Sequence, residues 1–555
     1  VCCLKSSARV NVSHRISMKV ILASALLLFC SNLTFAQDSL VELVAAGERE
    51  KAFALIEQGA DVNGQQSDGT TALLYAIHQG DKELVLALLE AGADANHSNA
   101  YGAGVMSEAA QLGDVEILTA LLDKGADVNW HNPEGETALM IAARSGNVPF
   151  AEILLAHGAD VNVRENWGGQ TALMWASAQG QVEMLALLIE HGADVNLHGK
   201  ARLWERRILS EPRPKDMNKG GFSALLYAAR QGCTECISIL AEAGADLDAT
   251  DPDRVSSLNL ALINLHFETA AALIEAGADV NSWDLFGRAP LYNAIDLNTL
   301  PVGGRPDIPS EDRMTGYDVV VMLLERGANP NMQLKLRPPY RNAIYDRGSD
   351  NLLSYGATPL IRAARAADVE SVRLLLEYGA LVDLPNGRGH TPVMVVSGID
   401  WPAEPTRGRY KTEEASIETL DLLLAAGADI NALTGDPTLR PGMDRNEANR
   451  GAGMQPAIRG AVNIDGQTAL HAAAKMGWNK IVQYLIDHGA VQQVVDASNK
   501  TPFDLAMGRY EPAFLAVPPV PLLDTARLLQ EACQADDNCV MRDTIDFSNP
   551  TNLIQ

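Results

Sequence analysis

Residues 135–162 read GETALMIAARSGNVPFAEILLAHGADVN, and the order of residues here decides how the chain folds. Thr137 precedes an Ala/Leu-rich run, and its hydroxyl suits a helix N-cap, where it satisfies a free backbone donor. That run stops at Gly146. A second apolar run passes through Ile153, Leu154 and Leu155 and stops at Gly158, a residue that readily takes the left-handed conformation closing a helix. Asp160 and Asn162 then favour a turn, because their short side chains bond nearby backbone. In sibling stretches a proline follows the threonine, as in Thr358-Pro359, Thr391-Pro392 and Thr501-Pro502. Proline is pre-shaped for the first helical position. The unit reads helix, turn, helix, hairpin-like turn. One such unit cannot bury its apolar face, and copies stacked side by side can.

The copies are present. Gly-Ala-Asp/Asn, or a near copy, starts at Gly59, Gly92, Gly125, Gly158, Gly192, Gly244, Gly277, Gly327, Gly379, Gly427 and Gly489. The first four intervals are 33, 33, 33 and 34 residues, and Gly244 to Gly277 is again 33. The remaining intervals, 48 to 62 residues, are the same beat interrupted. The stretches TALLYAIHQG, TALMIAARSG, TALMWASAQG, SALLYAARQG, TPLIRAARAA and TALHAAAKMG, each followed by Leu-Leu or a similar pair and then by the glycine phrase, resemble the ankyrin repeat. The resemblance covers about residues 38–510. It implies an all-α repeat fold, an ankyrin solenoid of helix-turn-helix plus hairpin finger, with about eleven units and a cap at each end. Only His471 keeps the signature histidine. The second and sixth units (GAGVMSEAAQLG and SSLNLALINLHF) lack the threonine, so they are expected to be the softer joints. The stretches at 165–175 and 335–348 also resemble a group of exported bacterial ankyrin proteins.

The ends read differently. Residues 1–17 have no pattern and are expected to be an over-extended start. Residues 18–36, with Lys19, an apolar run from Val20 to Cys30 and small Thr34 and Ala36, have the form of a secretory signal cleaved after Ala36. A periplasmic or secreted location is therefore expected, and no later segment could span a membrane. Residues 37–61 look like an N-terminal capping unit, 62–196 like regular repeats and 197–219 like a basic finger insertion. Repeats resume over 220–298 and continue over 299–491 with long insertions, and 492–555 form a C-terminal capping unit and tail. Of seven cysteines, Cys2, Cys3 and Cys30 would leave with the leader. The four that remain fit two local disulfides in an exported protein, Cys233 with Cys236 and Cys533 with Cys539.

Five insertions break the beat, at roughly 197–219, 298–316, 333–355, 398–415 and 433–463. By the resemblance, the first, third and fifth extend the finger, and the other two separate the helices of one unit. Cations outnumber acids in the three finger insertions, although the chain carries a formal charge of −26. Trp204, Arg206, Arg207, Arg337, Tyr340 and Arg341 lie there, residue types that anchor protein interfaces. Three readings stay open: these loops grip a partner, they brace the acidic body or serve as mobile linkers, or they are disordered without function. The resemblance further implies exposed finger tips at Tyr101, Trp167 and Phe286. It also implies a spaced basic ladder at Arg144, Arg230, Arg365 and Lys475, with Trp175 and Tyr227 in the stack.

So acidic a body argues against nucleic acid, whose phosphates need clustered Lys and Arg. Chemistry is not indicated. Cys233-Thr-Glu-Cys236 opens a repeat helix without the strand of a redox fold. His157, His191 and His488 recur once per unit instead of converging, so no metal or cofactor is expected. HExxH, GxSxG and phosphate-cradling glycine loops do not occur. The expected function is a monomeric, non-enzymatic scaffold that holds or protects another exported protein. The alternatives are a redox-linked accessory using the CxxC pair, or a secreted effector acting on a host protein.

Overall fold

The threonine that opens most units caps a helix, although Thr391 stands at the cap without a side-chain bond. In the computed structural model, which describes residues 39–202, 219–299, 312–335, 355–399, 411–435, 465–510 and 519–547, Thr71, Thr171, Thr358 and Thr468 each accept a bond from the backbone N–H three residues on. Four units depart from threonine. Ser223 and Ser256 supply the same hydroxyl cap, so the sixth unit is capped after all: serine does what threonine does there. At Gly104 no cap side chain exists, and the Ser107 hydroxyl takes over, accepting from Gly104 N–H at 3.1 Å. Ala289 has no capping side chain, and Pro290 follows it at the first helical position.

The residues form two compact units, one running to Ile141 and including Ala156–Ala159, the other comprising Ala142–Leu155 and Asp160 onward. The first holds the pairs Leu40–Ala45 with Arg49–Glu57, Ala72–His78 with Lys82–Glu90, and Val105–Leu112 with Val115–Asp123. Its core is aliphatic: Leu73, Ile77, Leu84, Leu88, Ile117, Leu118 and Leu121 are at most 2% exposed. Each such leucine or isoleucine contributes roughly 1.5–3 kcal/mol by leaving water. The second unit repeats the scheme from Ala172–Gln179 with Val182–Glu190 to Ala469–Met476 with Asn479–Asp487, and ends in Pro502–Ala506 and Leu523–Ala535. After the second and fourth insertions, fresh threonine caps restart the outer helices, Thr315 before Gly316–Glu325 and Thr412 before Glu413–Ala425.

Two hydrogen-bond devices join neighbouring repeats. The first uses the asparagine of the glycine phrase. Asn196 donates to Gly244 O at 3.1 Å and accepts from Asp246 N–H at 2.8 Å. Asn281, Asn331 and Asn431 repeat both bonds, the last across the longest interval. Insertions therefore leave this clamp intact. The second device is the finger itself. Asp284 N–H donates to Arg288 O and Gly287 N–H donates back to Asp284 O, while the Asp284 carboxylate accepts from Phe286 and Arg288 N–H, both at 2.9 Å.

The third and fifth insertions keep that turn. Leu334 N–H donates to Ala357 O at 3.0 Å and Gly356 N–H to Leu334 O at 2.7 Å; Thr434 with Gln467 and Gly466 does the same at 2.9 and 2.8 Å. The two closing bonds of the short turn survive, and the insertion replaces only its tip. The first insertion opens instead through a longer antiparallel stem, with bridges His198–Ser223 and Ala201–Gly220. Among the described residues no strand longer than such bridges forms.

Candidate functional site

The fingers present exposed aromatic side chains. Tyr101 is 81% exposed and Trp167 72%. Neither tip is loose. The Asn99 side chain accepts from Tyr101 and Ala103 N–H at 3.0 and 2.9 Å. The buried Glu165 carboxylate accepts from Trp167, Gly168 and Gln170 N–H at 2.6, 2.6 and 2.9 Å. Phe286 is half-buried beside Arg288, and its neighbour Leu285, 45% exposed, forms the tip.

On the inner helices, Arg144 and Arg230 are exposed. The Arg144 guanidinium lies 5.3 Å from the Trp175 ring, and that of Arg230 lies 5.0 Å from Tyr227 and 5.6 Å from Phe222. Tyr227 is also held by Gln170, whose amide donates to its hydroxyl at 2.7 Å; burial raises its pKa. Lys475 is half-buried, 4.9 Å from the Tyr510 ring. Arg365 corrects the ladder. It is 2% exposed, so it offers nothing to a partner. Burial, and then the charge of Arg365 beside it, hold the Lys411 ammonium well below the ordinary lysine range, and Lys411 donates to Val396 O at 2.6 Å. Arg362, fully buried, pairs with Asp296. The repeats around the second and fourth insertions thus place inside the fold what their siblings place outside.

Trp204, Arg206, Arg207, Arg337, Tyr340 and Arg341 lie outside the described residues. The stem of the first insertion is described, and it contacts the neighbouring fingers. Lys200 donates to Asn166 O at 2.6 Å, Arg202 donates to Trp167 O at 3.1 Å with its guanidinium 3.3 Å from the Trp167 ring, and Lys219 pairs with Asp253. Sequence reading missed Arg164, Arg254 and Trp283. One signal pointed at Arg254: it stands where sibling fingers have Gly69, Gly102, Gly135, Gly287 and Gly389.

The sulfurs of Cys233 and Cys236 stand at disulfide-bonding distance, as do those of Cys533 and Cys539. Cys233 is itself the N-cap of Thr234–Glu242, its sulfur accepting from Cys236 N–H at 3.2 Å, and Cys236 is fully buried. His191 and His488 bond carbonyls of their own helices, Leu187 O and Tyr484 O, at 3.0 and 2.7 Å. Among the described residues no cluster of His, Cys, Asp and Glu is arranged to hold a metal, and no helix is long and apolar enough to cross a membrane.

Comparison with known proteins agrees with this architecture. A family model described as ankyrin repeats (3 copies) matches residues 106–198, 205–300 and 446–514, and the ankyrin repeat model matches 68–100 and 355–387. The B-cell lymphoma 3 protein homolog of Mus musculus is 28% identical, over 33% of this chain and 34% of its own length. The ankyrin repeat protein YahD of Escherichia coli (strain K12) is 27% identical, over 37% of this chain and 95% of its own length. The first curated relatives are matched over only 22% to 34% of their length. The solved human ASB11 ankyrin repeat domain is 26% identical, covering 43% of this chain and 96% of that one with a TM-score of 0.35. With more than half of its residues matched by ankyrin models, and helix pairs, fingers and clamps repeating along the described residues, the chain belongs to the ankyrin-repeat proteins.

Proposed function

We propose that this chain is an exported scaffold that holds or protects another exported protein through its fingers and inner-helix face. Ankyrin repeats are in general protein-binding modules, and the leader-like stretch 18–36 supports export to the periplasm or beyond. The observation that carries the reading is Trp167: a 72% exposed indole on a turn fixed by three bonds to a buried carboxylate. A large apolar side chain held rigid in water loses little entropy when a partner covers it. Arg144 and Arg230, exposed beside aromatic rings, extend that surface, and Arg365 does not.

The test is in-cell crosslinking of the chain expressed with its leader, followed by fractionation. A cleaved chain starting at Gln37 outside the cytoplasm, crosslinked to a defined protein and losing it on Trp167→Ala, is the expected result. An uncleaved cytoplasmic chain overturns export. A chain with no enriched partner overturns the scaffold reading.

A further inference from the structure

Fingers from Arg164 to Lys335 hold their cations in an unusual way. Arg164 donates to Gly169 O at 3.2 Å and to His198 O. Lys200 donates to Asn166 O. Arg254 and Lys335 share one indole: the guanidinium lies 3.8 Å and the ammonium 3.0 Å from the Trp283 ring centroid. All four cations are exposed, and among the described residues none forms an ion pair with a carboxylate. The acids of the same fingers face inward or are occupied. Glu165 and Asp284 are buried and bonded to their own turns, Asp251 accepts from its own turn at 2.9 and 2.8 Å, and Asp253 pairs with Lys219. In a protein of formal charge −26, this edge turns its described carboxylates in and its cations out.

Arg254 adds a second, independent observation. Its φ is +61°, the left-handed region that costs a side chain roughly 1–2 kcal/mol and that glycine occupies freely. The sibling turns have glycine there, with φ from +78° to +83° at Gly69, Gly102, Gly135, Gly287 and Gly389, or asparagine at Asn499. A cation–π contact at an exposed site returns only about 0.5–1 kcal/mol, and Lys335 on the same ring repels it. Local stability does not account for arginine at this place. Strain retained at an exposed position points to a ligand.

We propose that the finger edge bearing Arg164, Lys200, Arg254 and Lys335 is the docking site for an acidic, extended peptide segment of the partner. The inference rests on the scaffold reading above and names the chemistry of what is held. Carboxylates spaced along a peptide meet cations already fixed by carbonyls and an indole, so little side-chain ordering remains to oppose binding.

The probe is a fluorescein-labelled oligoglutamate peptide, read by anisotropy against the whole chain. Binding that weakens as salt rises is expected. The double variant Arg254→Gly, Lys335→Gln is expected to bind about tenfold more weakly while its melting temperature holds or rises. Lys124→Gln, a cation already paired with Glu90, is expected to bind as the parent does. Unchanged binding by the double variant overturns the proposal. So does tighter binding of a labelled oligonucleotide or sulfated glycan, which would make the edge a site for another polyanion. A crosslinked protein partner retained by the double variant removes the edge as its site while leaving the scaffold reading in place.

Discussion

The inner helices of the regular repeats and those around the insertions carry the same motif and present it oppositely. Four residues after the cap, the regular repeats place Tyr75, Trp175 and Tyr227, each half-buried. The repeats around the insertions place Asn293, Arg362 and Val395 there, 4%, 0% and 0% exposed. Seven residues after the cap, His78, Arg144 and Arg230 are exposed, while Arg365 is 2% exposed. A position's role in a repeat is set by what covers it as well as by its place in the motif. Polar residues in the covered group must therefore find partners inside, as Arg362 does with Asp296, Asn293 with Asn259 and Asn298 with Asp368.

The sharpest way to break this comparison is to truncate the same motif position in both regions. Arg362→Ala leaves Asp296 without its partner and is expected to cost about 3 kcal/mol, as loss of one member of a buried pair does. Tyr75→Ala removes a half-buried ring whose hydroxyl bonds Gln66 at 3.0 Å and is expected to cost about 1 kcal/mol. Calorimetric unfolding of the two variants measures the difference. Equal losses would mean that burial does not separate the two regions energetically.

Acid should also act on the covered region. Burial holds the His471 imidazole below the ordinary histidine value. Its Nδ1 accepts from Thr468 N–H at 3.1 Å, so Nε2 carries the proton and donates to Lys500 O at 3.1 Å. The folded state thus takes up a proton at lower pH than the unfolded one. This contribution is present above the unfolded pKa of about 6.5 and is lost as pH falls through the folded pKa, with a slope of at most ~1.4 kcal/mol per pH unit. Melting temperatures from about pH 7.5 to about pH 5.5 should fall, and His471→Gln should flatten that slope. An identical slope in the variant would assign the acid response to other groups.

Which parts were legible in the sequence follows from the same contrast. Caps, helix stops and fingers are local devices, so Thr71, Gly180 and Asn99 announce them wherever they stand. Even the capping function at Ser256, missed by counting threonines, is local. Cover is not local. Nothing in TPLIRAARAA distinguishes Arg365 from Arg230 in SALLYAARQG, because burial comes from residues distant in sequence, such as Lys411. The cation edge was half legible. An arginine in place of a turn glycine is visible at Arg254, but that Glu165 and Asp284 turn inward requires the folded turn.

The helix stops extend the comparison with an exchange. Gly180 ends its helix at φ +68°, whereas Ala367 ends the corresponding one at φ +54°. Ala367→Gly should stabilise the fold by about 1 kcal/mol, and Gly180→Ala should destabilise it by a similar amount. At Gly180 an added Cβ would meet only Gln231 and Cys233, at 3.7 and 3.8 Å, so its cost is conformational. Denaturant midpoints of the pair test this, and a neutral Ala367→Gly would show that the covered repeat relaxes its own strain.

The smallest expected effect concerns the clamp between repeats. Asn281, Asn331 and Asn431 each donate to the glycine of the next phrase and accept from the residue two further on. Asp248 and Asp383 stand in the same place and can only accept, Asp248 from Asp279 N–H at 2.7 Å and Asp383 from Asp429 N–H at 3.0 Å. Burial raises the Asp383 pKa against the Asp429 N–H bond, which lowers it, so its carboxylate is less comfortable than an amide would be. Asp383→Asn is expected to restore the missing donor, aimed at Gly427 O, and to stabilise by about 0.5–1 kcal/mol. Asn281→Asp should remove the same bond and cost as much. Hydrogen exchange at the phrases starting Gly427 and Gly327 reads each change locally, where a global melt would dilute it. If Asn281→Asp leaves exchange at Gly327 unchanged, the amide's bond to that carbonyl contributes nothing, and the clamp works through its acceptor alone.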